Sequence, residues 1–326
     1  MIPTAAFPSA RNDGVRADLQ RQVAGIFQIV ADDERCEVLI DGRPDESRMS
    51  NDSLTHIIVP FAGVPAATLR LAKTHPHVSL HNLHHNAPET AEIALALMFA
   101  AAKRVVPADV AMRRHDWSIR YQPDETLRLA GRTAVILGFG EIGRRIGAAC
   151  RGLGMRVRGV TRSGAPQADW DVVPISQLDT LLADADVLFV ALPQTIETEA
   201  LIGEREIAML KRHSIIVNVA RAQIIDERAL YEALASKRIH SAGLDVWYSY
   251  PSASSVPNYF SMPESASNTP PSQFPFHELD NVVMSPHRGG ASRHSEIARV
   301  EHLATLLRAI ASGGEVPNRV DLDRGY

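Results

Sequence analysis

From about residue 130 onward the chain alternates short apolar runs with longer stretches of helical spacing. The runs cover 133–137, 155–161, 186–191, 214–219, 241–246 and 281–285. They are rich in Val, Ile, Leu and Ala and show little polar alternation, as strands covered on both faces of a parallel sheet do. Between them, 141–152, 175–185, 204–210 and 226–236 have the spacing and length of helices. Strand and helix in regular alternation predict a doubly wound α/β sheet.

The first 87 residues carry shorter runs at 24–30, 38–40, 57–59 and 78–80, separated by helix-like segments such as 66–73, and predict a smaller α/β domain. Asn86 with Glu89 three residues on has the form of a capping box, with Pro88 in the first turn. It opens a helix over 88–104 that is apolar nearly all round. Such a helix must be covered on most sides, as an internal core helix, a link between domains or a subunit contact. Residues 252–273, rich in Ser, Pro and Asn, interrupt the alternation and read as a long surface loop.

Composition narrows the class. The 326 residues are 45% hydrophobic and carry a net charge of -4, enough for a large core and two domains. The weakly acidic balance without a basic run argues against a nucleic-acid partner. The longest uncharged apolar stretch, 93–102, is half of the roughly 20 residues a membrane span needs. The first ten residues lack a basic start and a sustained apolar core, so no secretory signal is read and a cytoplasmic location is expected. Two cysteines, Cys36 and Cys150, supply neither a disulfide framework nor a cysteine-rich metal site.

Chemistry enters at Gly138-Phe-Gly140-Glu141-Ile142-Gly143, a G-x-G-x-x-G between a predicted strand and a predicted helix. Gly138 permits a tight turn, Gly140 lets backbone approach a pyrophosphate, and Gly143 allows close helix packing. The helix N-terminus supplies N–H groups and a favourable dipole for the anion. The next strand distinguishes the dinucleotides. NAD sites usually place an acid about 20 residues past the glycines, on the adenosine ribose. Here that strand ends in Thr161-Arg162-Ser163. A guanidinium can pair with a 2′-phosphate and hydroxyls can donate to it, which favours NADP(H). The alternative is that Arg162 is a solvated loop residue and NAD binds without the acid.

Five ordered motifs extend the pattern: the glycine turn, Ala191-Leu192-Pro193-Gln-Thr-Ile-Glu-Thr198, Val217-Asn-Val-Ala220-Arg221-Ala-Gln-Ile-Ile-Asp226, Gly243-Leu-Asp245-Val246 and Ser285-Pro-His287. Together they resemble the D-isomer-specific 2-hydroxyacid dehydrogenases, over nearly the whole chain. The resemblance implies a Rossmann-like cofactor domain, 88–291, inserted into a smaller flavodoxin-like substrate domain, 1–87 plus 292–326. It implies that Arg221 grips a substrate carboxylate and polarises its keto group, as a planar charged fork can. His287 matches the general acid, suited by its near-neutral pKa. Asp245 matches the acid that meets the nicotinamide carboxamide, Ala62, Gly63 and Val64 a backbone loop holding the substrate carboxylate, and Leu192, Pro193, Ala220 and Gly289 further cofactor contacts. The implied reaction is reduction of a small 2-keto acid, such as glyoxylate or hydroxypyruvate, to the D-2-hydroxy acid by a homodimer, with no metal.

One departure stands out. The family's histidine usually has a Glu partner five residues past the Asp, and that position here is Tyr250. A phenol can orient the ring but supplies no full charge, so the histidine's pKa is expected to fall. Glu264, folding back from the long loop, is an alternative partner. Formate- or phosphite-oxidising relatives and catalytically weak nucleotide sensors are the rival readings that Tyr250 keeps open. Ala222, where the family usually has Gly, adds a methyl near the substrate. His81, His84 and His85 lack a carboxylate or Cys at ligand spacing and read as surface or cleft residues. Trp117 resembles a family tryptophan near a subunit interface, though a core position is the simpler reading.

Overall fold

The computed structural model describes residues 2–8, 13–31, 35–123, 125–251 and 264–326. The chain folds into two compact units, Met1–Asn86 with Ala291–Tyr326, and Ala87–Gly290. No helix among the described residues is long and apolar enough to cross a membrane.

In the first unit the chain runs β1 (Thr4–Ala6), α1 (Asp13–Gln22), β2 (Gln28–Val30), β3 (Val38–Ile40), α2 (Glu46–Met49), β4 (His56–Val59), α3 (Ala66–Thr74) and β5 (Ser79–Asn82). The strands form one parallel sheet in the order β2-β1-β3-β4-β5. Two of these elements are faint in the sequence. β1 is three residues long between Pro3 and Pro8, and α1 is polar except for a stripe around its buried residue, Leu19.

The second unit opens with α4 (Ala87–Lys103) and α5 (Val105–Arg113). It continues as β6 (Thr133–Leu137), α6 (Glu141–Gly152), β7 (Arg156–Thr161), β8 (Val172–Pro174), α7 (Leu178–Asp184), β9 (Val187–Val190), α8 (Glu204–Met209), β10 (Ile215–Asn218), α9 (Glu227–Ala235), β11 (Ser241–Leu244) and β12 (Val282–Met284). Its sheet has seven parallel strands in the order β12-β11-β10-β9-β6-β7-β8, so strand order reverses at β6. Such a reversal opens a crevice at the carboxyl ends of the strands. The apolar runs alternate between two cores. Ala134, Ile136, Phe189 and Val217 face α4 and α6, while Val135, Leu137, Leu188 and Ile216 share the other core with residues of α7, α8 and α9.

Two expectations need correction, on the strand count and Trp117, and among the alternatives for the apolar helix the core position is found. Six strands were expected and seven are present, because β8 is a half-buried edge strand ended by a proline and carries little hydrophobic signal. Within the second unit α4 is a core helix, burying Ala91, Ala94, Leu97, Met98, Ala101 and Ala102. Trp117 is 56% exposed, so it is no core residue. It follows α5, which has no buried residue and displays Val105, Val106, Val110 and Met112. Of the anticipated loop, 252–263 lies outside the described residues, and Glu264–Ser267 forms a 3₁₀ turn.

The chain returns to the first unit as α10 (Ser295–Ser312), whose Val300, Leu303, Ala304 and Leu307 pack with Leu19, Val23 and Phe27. The segment after it lies along β5, with Val320 N–H donating to Leu80 O at 2.8 Å and Asn82 N–H to Asn318 O at 3.2 Å. The His81 ring joins this seam. Its Nδ1 bonds the Pro317 carbonyl at 2.9 Å, which requires the proton on Nδ1, and Nε2 is buried without a hydrogen-bond partner among the described residues. The His56 ring lies near it, tilted, with centroids 5.5 Å apart. Desolvation lowers both histidines' pKa values, with Arg319 adding repulsion to each and His81 adding it to His56. The folded state therefore favours the neutral rings. Their contribution to stability is complete above the ordinary value of 6.5 and is lost as pH falls from there through the depressed folded values. Thermal midpoints measured from pH 8 to pH 5 should fall on the acid side, and His81→Gln should flatten that fall.

Candidate active site

The glycine turn sits at the carboxyl end of β6, at the strand-order reversal. Gly138 adopts φ +91°, and a Cβ there would lie 2.5 Å from Leu192 N, so only glycine fits. A Cβ on Gly143 would meet Gly138 O at 2.1 Å, which is why α6 can start so close to the strand. Gly140 is the N-cap of α6 and offers no side-chain cap, while the space where its Cβ would stand is open. An open cradle beside the first-turn N–H groups of Glu141, Ile142 and Gly143 fits a diphosphate. Arg145 and Arg144 bind the Glu141 carboxylate, and these bonds hold its pKa below the usual range despite partial desolvation.

Beside the turn, Gly138 N–H donates to Val160 O at 2.9 Å, so β7 delivers Thr161, Arg162 and Ser163 to the same edge. Thr161 Oγ1 accepts from Gly164 N–H at 3.0 Å and Ser163 Oγ from Ala165 N–H at 3.3 Å, which shapes the loop and leaves both hydroxyl protons for donation. Arg162, read from the sequence as a phosphate ligand with a solvated loop residue as the alternative, has a protein partner. Its Nη2 donates to Glu197 Oε1 at 2.7 Å. Glu197 lies in the loop after β9, which begins with Leu192, buried, and Pro193, exposed. Sequence spacing offered no signal for this pairing across 35 residues.

The remaining residues gather at the ends of β10, β11 and β12. Asn218, the buried last residue of β10, accepts from Ala220 N–H at Oδ1 and donates from Nδ2 to Arg221 O, both at 3.0 Å. That brace fixes the turn bearing Arg221. Among the described residues only Nη1 of the guanidinium is engaged, by Ala220 O at 2.7 Å. Ala222 is buried as the turn continues.

Asp245, just past β11, is 1% exposed. Its Oδ1 accepts from Ser285 Oγ at 2.5 Å and Arg288 N–H at 2.9 Å, and its Oδ2 from Gly289 N–H at 2.7 Å. The carboxylate therefore ties down the segment carrying His287. The sequence reading gave it a nicotinamide contact and missed this anchoring. His287 occupies the left-handed region at φ +55°, a conformation such a tether holds.

Tyr250 Oη lies 2.9 Å from His287 Nδ1 and accepts the Trp247 N–H at 3.0 Å. Trp247 is itself pinned, its Nε1 donating to Ser285 O at 2.8 Å. Phenol and imidazole thus meet where the sequence put a replacement for the usual glutamate; the Glu264 side chain lies outside the described residues. His287 is exposed to solvent, yet desolvation is the largest influence on its ring. Desolvation and the Arg221 guanidinium lower its pKa, and Asp245 works against them.

Ala62, Gly63 and Val64 belong to the other unit, in the loop from β4 to α3, where Ala62 O accepts from Asn82 Nδ2 at 2.6 Å. His81 and His85 are buried, contrary to the surface reading; β5 is the edge strand of its sheet, and the chain at 317–320 covers that edge.

A parallel doubly wound sheet with a glycine turn at its reversal point, and with an arginine and a histidine past the carboxyl ends of β10 and β12, has the architecture of the dinucleotide-dependent dehydrogenase class. Residues 95–289 match the family model of the D-isomer specific 2-hydroxyacid dehydrogenase NAD binding domain, and the chain belongs to that family. It is 32% identical over 240 residues to a glyoxylate reductase of Thermococcus litoralis, covering 72% of this chain and 67% of that protein. It is 34% identical over 241 residues to a D-3-phosphoglycerate dehydrogenase of Archaeoglobus fulgidus, covering 73% of this chain but 41% of that one. Among solved structures, a D-isomer specific 2-hydroxyacid dehydrogenase from Xanthobacter autotrophicus Py2, in complex with NADPH and MES, superimposes with a TM-score of 0.79 at 24% identity, covering 99% of each chain.

The anchoring of the His287 segment makes a prediction. Asp245→Asn keeps the shape but turns one acceptor into a donor facing a backbone N–H. It should cost about 1–3 kcal/mol of stability, measured by denaturant unfolding, because a buried donor is left unsatisfied.

Proposed function

We propose that this chain reduces a small 2-keto acid to the D-2-hydroxy acid with a nicotinamide cofactor, NADPH ahead of NADH. The observation that carries the reading is the approach of Arg221 to the tethered His287 along the carboxyl edge of the sheet that also bears the glycine turn. On this reading the Ala87–Gly290 unit binds the nucleotide, with Gly138–Gly143 at the diphosphate and Thr161, Arg162 and Ser163 at the adenosine ribose.

When bound, the reduced nicotinamide supplies a hydride for the keto carbon. Arg221 takes the substrate carboxylate and carbonyl oxygen with the part of its fork that Ala220 leaves free, and stabilises the negative charge that grows on that oxygen. His287 Nε2 gives the proton to it. Tyr250 fixes which nitrogen does so: in the charged imidazole Nδ1–H donates to the phenol oxygen, so the proton released is the one on Nε2, and the neutral ring left behind keeps its proton on Nδ1. Asn218 and Asp245 act through these residues, as positioning groups. The exposed apolar side chains of α5 support a homodimer, since a helix with no buried residue leaves such a face uncovered.

The test is consumption of NADPH and NADH, separately, with glyoxylate, hydroxypyruvate, pyruvate and phenylpyruvate, followed by chiral analysis of the product. Turnover with at least one keto acid, faster with NADPH, and a D product where the product is chiral are expected. NADH ahead overturns the cofactor preference alone. Nucleotide binding with no turnover on any keto acid overturns the reductase assignment.

A further inference from the structure

The ion pair between Arg162 and Glu197 is unexplained by the reading above, which needs Arg162 for a phosphate. Resting on that reading, we propose that Glu197 sets the NADPH-to-NADH preference, by occupying the guanidinium that the 2′-phosphate must claim.

The fold brings the two side chains together deliberately from separate strands. β7 and β9 are the two neighbours of β6 in the sheet, so the loops leaving them flank the glycine turn on either side. The pair, 2.7 Å from Nη2 to Oε1, therefore spans the end of β6. Neither arm is a loose surface chain end. The loop carrying Glu197 is braced by Thr198, whose Oγ1 accepts from Thr195 N–H and donates to Pro193 O, both at 2.8 Å. The loop carrying Arg162 is closed by the Gly164 N–H bond to Thr161 Oγ1 at 3.0 Å.

Two consequences follow from charge. A 2′-phosphate and the Glu197 carboxylate compete for one guanidinium, and once the phosphate is seated the carboxylate is left beside a group of charge about −1.5 to −2. Both effects weaken NADPH. A ribose 2′-hydroxyl, by contrast, is a donor that a carboxylate can accept. Glu197 can therefore supply, from the loop after β9, the acid that is missing at the end of β7, where Thr161, Arg162 and Ser163 stand. The same residue penalises one cofactor and serves the other.

The experiment is calorimetric titration of NADPH and of NADH into the full-length wild type, Glu197→Gln and Arg162→Ala, with thermal melts to establish folding; both sites are solvent-accessible. Glu197→Gln should tighten NADPH about fivefold, the upper range for an exposed ion pair, and should not tighten NADH. Arg162→Ala should weaken NADPH by at least as much while changing NADH little. If Arg162→Ala weakens NADPH selectively but Glu197→Gln leaves it unchanged or tightens both nucleotides alike, the role of Glu197 is overturned and that of Arg162 stands. If Arg162→Ala affects both nucleotides alike, the phosphate reading fails and the inference fails with it.

Discussion

A buried carboxylate must find donors or destabilise the fold, and Asp245 finds all of its donors on the segment after β12. Those bonds join the end of β11 to Ser285, Arg288 and Gly289, and so decide where His287 can stand. A histidine at φ +55° is held there only if its neighbours fix the turn, and one carboxylate with three donors does so from both sides. The Trp247 indole adds a second tie to Ser285. His287 is thus positioned by bonds from the buried Asp245 carboxylate to the backbone and Ser285 around it, whereas the residue itself remains open to solvent.

The ring's electrostatics follow from what surrounds it. Desolvation and Arg221 disfavour the imidazolium, and Tyr250 offers hydrogen bonding without a compensating charge. Because the Trp247 N–H already uses one lone pair of the phenol oxygen, that oxygen is a poorer acceptor and its proton a better donor. The arrangement makes His287 a stronger acid that is less often protonated near neutral pH. The acid Asp245, on the backbone side of the segment, offsets this in part.

Much of this was legible in the sequence, for reasons that differ by element. Strands β6, β9, β10 and β11 are buried on both faces, so burial alone writes them as apolar runs. β1 and β8 are short pieces next to prolines, and α1 carries one buried residue, so little of their placement is recorded as hydrophobicity. The glycine turn was legible because Gly138 and Gly143 answer steric demands that no other residue meets. Tyr250 was found by counting from Asp245 to the position where the family usually carries Glu, although its contact with His287 joins the ends of β11 and β12. The partner of Arg162 and the donors on Asp245 were not legible, because both come from separate strands and depend on strand order. Burial of His81 and His85 was hidden for a related reason: a polar residue in a short run gives no sign of which face it takes.

The most direct test of His287 as proton donor on a phenol partner is the pH profile of keto-acid reduction, measured as kcat/KM, in the wild type and Tyr250→Glu. Reduction requires the protonated ring, so activity falls as pH rises through its pKa. A carboxylate in place of the phenol favours the imidazolium, and the falling limb should move to higher pH in the variant. Superimposable profiles in two folded, active proteins would contradict the account.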